Sequence, residues 1–97
     1  MTPSELQDLL AQNANFALID VRTPEETHIP GTLDTIDYLL IHLQTERLPK
    51  DTNALIILYC RSGQRSGIAA ENLRALGFTN IHNLEGGIIG WNAFITA

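Results

Sequence analysis

Residues 54–66 read ALIILYCRSGQRS, and this stretch decides the fold. Residues 54–59 form an apolar run, which is typical of a strand buried on both faces of a parallel sheet. A polar loop containing Gly63 follows, and residues 66–76 then predict a helix. The sequence therefore predicts a strand, a loop around Cys60 and a helix in direct succession.

The same alternation extends on both sides of this unit. Residues 16–21 (FALIDV) form a second apolar run and predict another buried strand. Residues 36–48 carry apolar side chains at 36, 39, 40, 43 and 48, which predicts an amphipathic helix that ends before Pro49. Further elements are predicted at residues 4–10 (helix), 79–84 (strand) and 88–95 (helix). Strands that alternate with helices indicate the α/β class with a mostly parallel sheet.

Length and composition limit the class of the chain and its partners. The 97 residues predict a single domain over 1–97, and a hydrophobic content of 44% excludes disorder. The net charge of −5 argues against nucleic acid and against an anionic membrane surface. One cysteine excludes an internal disulfide, and no residues have a spacing typical of metal ligands, so we expect neither a metal nor a cofactor. The sequence shows neither a leader nor a membrane span, so we expect a cytoplasmic protein, and we expect it to be a monomer.

The loop around Cys60 has the composition of an anion cradle. Cys60 follows a buried strand, at the sheet edge where α/β proteins bind their ligands. The N-terminus of the next helix supplies unpaired N–H groups and a partial positive charge, and Arg61 and Arg65 add two fixed charges. Such surroundings favour thiolate over thiol. The candidate nucleophile is Cys60, and the candidate substrate-binding residues are Arg61, Ser62, Gly63, Gln64, Arg65 and Ser66.

A plainer interpretation of Cys60 competes with this one. A lone cysteine at the end of a strand is usually a small buried hydrophobe, and isolated arginines are usually solvated. The combination of strand, cysteine, arginine, glycine, arginine, serine and helix favours a reactive site over that interpretation.

Three motifs resemble those of the rhodanese family. The segment CRSGQRS (residues 60–66) resembles its active-site loop, in which a cysteine begins a loop that an arginine and a serine or threonine close. Upstream, LIDVRTPEE (18–26) and HIPG (28–31) resemble its first signature. Downstream, GFTNIHNLEGGIIGW (77–91) resembles its closing signature. The motifs span residues 18–91 in the expected order.

This resemblance implies a rhodanese-like three-layer fold, with a mostly parallel five-stranded sheet flanked by helices. It also implies that Cys60 is the nucleophile and that the loop amides and Arg65 bind the transferred group. Asp20 and Arg22 would brace the site, with Arg22 paired to Glu25 or Glu26. An ordinary ion pair at the end of a strand is the alternative for these last residues.

One segment departs from the family. Only residues 23–27 separate the predicted strand from HIPG, whereas family members usually carry several more residues there. A short segment cannot reach far across the mouth of the site. We therefore expect Cys60 to lie in a shallow, open cup.

The function that the resemblance implies is sulfur transfer. A small anionic donor such as thiosulfate would place a sulfur on Cys60, and an external thiol, a protein or cyanide would accept it. Two alternatives remain at this stage. The first is a non-catalytic rhodanese-like binding module, and the second is a phosphatase-like enzyme, although four residues between Cys60 and Arg65 make a narrow loop for phosphate.

Overall fold

A computed structural model describes all residues, 1–97. Four short strands form one parallel sheet in the order β2-β1-β3-β4, and three α-helices and two 3₁₀ turns surround it. The strands are β1 (Ala17–Asp20), β2 (Asp34–Thr35), β3 (Ile56–Tyr59) and β4 (Ile81–Asn83). The helices are α1 (Pro3–Ala11), α2 (Gln64–Ala75) and α3 (Gly87–Ile95), and the 3₁₀ turns are Ile41–Leu43 and Thr45–Arg47.

The central strand β3 alternates its side chains between two apolar layers. Leu58 and Cys60 belong to the core cluster that contains Ala69 and Leu73 of α2. The other face of the strand, including Tyr59, packs in a second cluster with α1 and α3. Because successive strand residues point to opposite faces, one continuous apolar run serves both layers. The predicted α/β class and the three-layer arrangement are therefore confirmed.

The strand register brings the polar strand ends to one edge of the sheet. Asp20 at the end of β1 lies opposite Tyr59 at the end of β3, and Leu58 lies opposite Asn83 at the end of β4. The residues that follow these positions emerge at the same edge. Cys60 is the first residue after β3, so the candidate loop lies there.

The sheet has four strands rather than the five expected. The place beside β4 is taken by Met1, whose amino group donates to the Asn83 carbonyl at 2.9 Å. The Glu85 amide donates to the Met1 carbonyl at 2.8 Å. Thr2 already caps α1, so the chain turns into a helix before a strand can form.

The predicted helix over residues 36–48 is wrong. The Ile36 amide donates to the Asp20 carbonyl and the Tyr38 amide to the Val21 carbonyl, so this part follows the edge of β1. The buried side chains are Ile36, Ile41 and Leu48, and on a helix Ile36 would lie about 120–140° away from the other two. The remainder of the segment forms the two 3₁₀ turns. Pairing with the sheet edge thus overrides the local apolar periodicity.

The remaining elements lie close to their predicted places. Helix α2 begins at Gln64, two residues before the predicted start, because Gly63 in the left-handed region (φ +103°) begins it. Trp91 of α3 is buried in the second core cluster, as expected for a large aromatic in a small domain. None of the helices has the length and apolar character needed to cross a bilayer.

Candidate active site

The Cys60 loop is a tight turn between β3 and α2. Cys60 is almost fully buried, with 3% of its surface exposed, whereas Arg61 and Ser62 are exposed. Gly63 turns the chain back with a positive φ of 103°, a conformation that costs a residue with a side chain more than glycine. The loop therefore curls over the sulfur before the helix begins.

Hydrogen-bond donors converge on the sulfur of Cys60. The Gly63 amide donates to Sγ at 3.1 Å, and the hydroxyl of the fully buried Ser66 lies 3.3 Å from it. Burial by itself would raise the pKa of the Cys60 thiol. The Ser66 hydroxyl and the backbone amides of Ser66, Gly63 and Ser62 outweigh that effect and lower the pKa below its ordinary value. The site thus stabilises the thiolate form more than an ordinary cysteine environment does.

The first turn of α3 holds the outer side of the same loop. The Ile88 amide donates to the Cys60 carbonyl at 2.9 Å, and the Ile89 amide donates to the Arg61 carbonyl at 3.1 Å. These bonds direct the loop carbonyls toward α3 and leave loop amides free to face the sulfur. Gly87 permits the close approach, since a Cβ at that position would lie 2.5 Å from the Cys60 carbonyl oxygen.

Asn83 is a site residue that the sequence interpretation missed. Its Nδ2 donates to the Gly63 carbonyl at 2.8 Å, and its Oδ1 lies 2.5 Å from the Ser66 hydroxyl. Asn83 is 23 positions after Cys60, and it reaches the loop because β4 pairs directly with β3. The available signal was the parallel sheet itself, which collects strand ends at one edge.

The mouth of the site is a polar, positively charged depression of about 360 Å³. Three of the six basic residues of the chain line it, against a single acidic residue, Glu26. Most of the lining residues are exposed, whereas Cys60 is buried at the base. The lining residues are Arg22, Thr23, Glu26, Cys60, Arg61, Ser62, Gln64 and Arg65.

The short segment 23–27 still contributes one wall, because Thr23 and Glu26 lie in the lining. The rim of the depression is exposed, as expected of an open cup, but Cys60 is buried at its base, so the cup is not shallow. The cup is deeper than a flat surface, because the sulfur lies beneath the loop.

Arg22 is held in place by a buried carboxylate. Its Nη2 lies 2.8 Å from Asp20 Oδ2, and Asp20 is completely buried. His28 Nδ1 lies 2.6 Å from the same oxygen. The guanidinium also donates to the Thr27 carbonyl at 2.7 Å, so it ties the short segment to the end of β1.

The acidic partner of Arg22 is Glu26 rather than Glu25. Glu26 Oε1 lies 3.4 Å from Arg22 Nη1, whereas Glu25 is exposed and makes no ion pair. The sequence could not show which of the two glutamates pairs with Arg22, because the conformation of the short segment decides which of them points toward it.

The predicted loop residues divide into two groups. Arg61, Ser62, Gln64 and Arg65 line the mouth, and Gly63 and Ser66 contact the sulfur. The Arg65 guanidinium lies 5.3 Å from the centre of the Tyr38 ring and donates to no loop carbonyl. The side-chain hydrogen bond to a loop carbonyl comes from Asn83, which donates to Gly63.

This geometry defines an α/β domain in which hydrogen-bond donors surround a cysteine at the carboxyl edge of a parallel sheet. The model of the Rhodanese-like domain family matches residues 2–94. The chain belongs to the rhodanese-like domain family.

Relatives and solved structures agree with this assignment. The chain is 38% identical to a sulfurtransferase of Allochromatium vinosum, over 89% of this chain and 80% of that protein. It is 40% identical to the probable adenylyltransferase/sulfurtransferase MoeZ of Mycobacterium tuberculosis, over 94% of this chain but 24% of that protein. Its structure resembles the human single-domain sulfurtransferase TSTD1 with a TM-score of 0.81 and 26% identity, covering 96% of this chain and 90% of that one. The chain also spans 50% of a Synechocystis relative, so similar domains occur within longer proteins.

Proposed function

We propose that this chain is a sulfurtransferase that carries sulfur on Cys60 as a persulfide. A small anionic donor such as thiosulfate would supply the sulfur, and an external thiol or cyanide would accept it. The observation that carries the proposal is the Cys60 sulfur itself, which receives hydrogen bonds from Gly63 and Ser66 beneath a mouth lined by three arginines. Sulfurtransferases among the similar proteins support it.

The reaction has two balanced steps. In the first, the Cys60 thiolate attacks the outer sulfur of thiosulfate, a new S–S bond forms, and sulfite leaves with the electron pair of the broken S–S bond. The negative charge then resides on the outer sulfur of the persulfide. In the second, an acceptor thiolate attacks that outer sulfur, and the Cys60 thiolate leaves. This is covalent catalysis by an activated nucleophile.

The residues around the sulfur have separate roles in these steps. Arg22, Arg61 and Arg65 attract the anionic donor into the mouth, where the net charge of −5 would otherwise repel it. The loop amides and Ser66 stabilise negative charge on the attacking sulfur, and free loop amides face the outer sulfur afterwards. These 97 residues hold no second cysteine that could resolve the persulfide, so the acceptor lies outside them.

The mass of the intact protein after treatment with thiosulfate tests the proposal. We expect a gain of one sulfur atom, removed by cyanide and by reductant, together with thiosulfate-to-cyanide turnover. Cys60→Ser should show neither, while Cys60 in the urea-unfolded protein should fail to load because the loop is lost. A folded wild-type protein that neither gains sulfur nor turns over would indicate a binding module instead.

A further inference from the structure

The buried hydroxyl of Ser66 has two acceptors and only one proton. Its oxygen lies 3.3 Å from the Cys60 sulfur and 2.5 Å from Asn83 Oδ1. A serine hydroxyl donates one hydrogen bond at a time. Ser66 can therefore stabilise the thiolate or satisfy Asn83, and each choice leaves the other acceptor without this donor.

The carboxamide of Asn83 is fixed with its oxygen toward Ser66. Its Nδ2 donates to the Gly63 carbonyl at 2.8 Å. A flipped amide would place two oxygen acceptors against each other at that position, with no proton between them. Asn83 Oδ1 is consequently an obligate acceptor facing Ser66.

The protonation state of Cys60 decides which bond forms. When Cys60 is a thiol, its S–H can donate to the Ser66 oxygen while the Ser66 hydroxyl donates to Asn83. When Cys60 is a thiolate, the charge attracts the Ser66 proton, since hydrogen bonds to charged groups are the stronger ones. Asn83 Oδ1 then loses its donor, which costs free energy at a half-buried site.

We propose that Asn83 is a positioning residue that competes with Cys60 for the single proton of Ser66. This inference deepens the proposed function and rests on it for its catalytic meaning. Because Asn83 competes for the Ser66 proton, Ser66 stabilises the thiolate less than it would if the sulfur were its only acceptor. A less stabilised thiolate is a stronger nucleophile.

The competition also favours the loaded state. After the attack on thiosulfate, Sγ is bonded to the outer sulfur and no longer carries the negative charge. The Ser66 proton then returns to Asn83, and the hydrogen bond lost in the thiolate is recovered. Formation of the persulfide is thereby assisted by a residue that touches neither the donor nor the reacting sulfur.

The rate at which iodoacetamide alkylates Cys60, measured from pH 5 to pH 10, tests the competition without any sulfur donor. Asn83→Ala removes the competing acceptor, so the midpoint of the rate profile should move to lower pH. At pH 6 the rate should rise by about threefold to tenfold, the effect of one hydrogen bond on an equilibrium. If Asn83 only supported the loop, Asn83→Ala would instead move the midpoint to higher pH, because a looser loop would donate fewer hydrogen bonds to the thiolate.

Asn83→Asp is the matched control. It loses the same bond to Gly63, keeps an acceptor and adds a negative charge, so its midpoint should lie above that of the wild type. Apart from this added carboxylate, the charged side chains around the sulfur, Arg22, Glu26, Arg61 and Arg65, are unchanged in these proteins. Movement of both variants in the same direction would overturn the competition.

A Ser66→Ala background provides the second control. There Asn83→Ala should no longer move the midpoint to lower pH, because the shared proton is absent. If Asn83 variants do not fold, the side-chain amide signal of Asn83 can be followed by NMR in the wild type as Cys60 is titrated. That signal should change with Cys60 ionisation and stop changing in Ser66→Ala, and a change that persists would refute the proposal. Loss of persulfide formation with a normal alkylation result would instead contradict the proposed function.

Discussion

The backbone of Gly87 lies against the Cys60 carbonyl so closely that a Cβ at Gly87 would stand 2.5 Å from that oxygen. Gly87 also has a positive φ of 58°. The contact allows the first turn of α3 to donate its Ile88 amide to the same carbonyl. The shape of the Cys60 loop therefore depends on a glycine 27 positions away in the sequence.

We expect Gly87→Ala to lose both stability and turnover. The left-handed conformation alone costs alanine about 1 kcal/mol, and the contact with the loop adds strain, so we expect a loss of roughly 2–4 kcal/mol in the free energy of unfolding. Gly77→Ala is the control, because Gly77 also has a positive φ (101°) but open space around it. Urea unfolding and thiosulfate turnover measure both variants. Equal losses in the two variants would show that the close approach has no importance.

The buried Asp20 carboxylate should stabilise the fold in a pH-dependent way. Burial would raise its pKa, but hydrogen bonds from Arg22 and His28 outweigh burial and lower the pKa below its ordinary value. A lowered pKa in the folded state gives stabilisation that is complete above an ordinary aspartate value of about 4. It is lost as the pH falls through the lower value of the folded protein.

Asp20→Asn should therefore lower the free energy of unfolding by about 2–3 kcal/mol at pH 7, because it leaves Arg22 without its buried partner. The difference from the wild type should shrink at pH 3 and below. Asp34→Asn removes the exposed pair with Arg47 and should cost about 1 kcal/mol or less. Urea unfolding at several pH values gives the comparison, and a deficit independent of pH would rule out the ionic role of Asp20.

The sequence allowed the central unit to be predicted because its signals are local. The apolar run before Cys60 and the glycine after it determine strand and turn within a few residues. The segment after β2 could not be predicted in this way, since Ile36 and Tyr38 bond to the carbonyls of Asp20 and Val21, which are distant in sequence. Its apolar spacing resembled a helix only because exposed leucines lie between the buried positions.

The site shows the same division. Cys60, Gly63 and Ser66 lie on one continuous segment, and their spacing identified them. Asn83 comes from another strand, and only the sheet register brings it to the loop. The choice of Glu26 over Glu25 depends on a turn whose conformation has no strong local signal.

Ser66 should be necessary for the reactivity of Cys60 near neutral pH. Ser66→Ala removes the side-chain donor to the sulfur, so the pKa of Cys60 should rise toward its ordinary value. A hydrogen bond to a charged group supports an expected fall of about tenfold in the alkylation rate at pH 6. Ser62→Ala is the control, because only the backbone amide of Ser62 acts on the sulfur. Similar profiles for both variants would argue against the Ser66 hydroxyl.

Arg61 and Arg65 should differ in their kinetic effect. The Arg65 guanidinium is placed over the Tyr38 ring, whereas Arg61 has no aromatic or acidic partner. We expect Arg61→Ala mainly to raise KM for thiosulfate, by about threefold to tenfold, and to reduce its salt dependence. Arg65→Ala should also lower kcat, and Tyr38→Leu should produce part of that loss while retaining the arginine. Reversed effects in steady-state kinetics would mean that the two roles are exchanged.

The accessibility of the sulfur should change when it is loaded. Cys60 is 3% exposed at the base of the cup, so a bulky thiol reagent should react with it much more slowly than iodoacetamide does. An added sulfur extends about 2 Å beyond Sγ, toward a rim of exposed side chains. Because these 97 residues hold no second cysteine, the persulfide should survive for minutes without a nucleophile. Its outer sulfur should still be reached by the cysteine of a protein acceptor. At equal concentration, reduced thioredoxin should discharge it at least as fast as a small thiol, as followed by intact mass. Discharge by the small thiol alone would show that the open rim does not admit a protein.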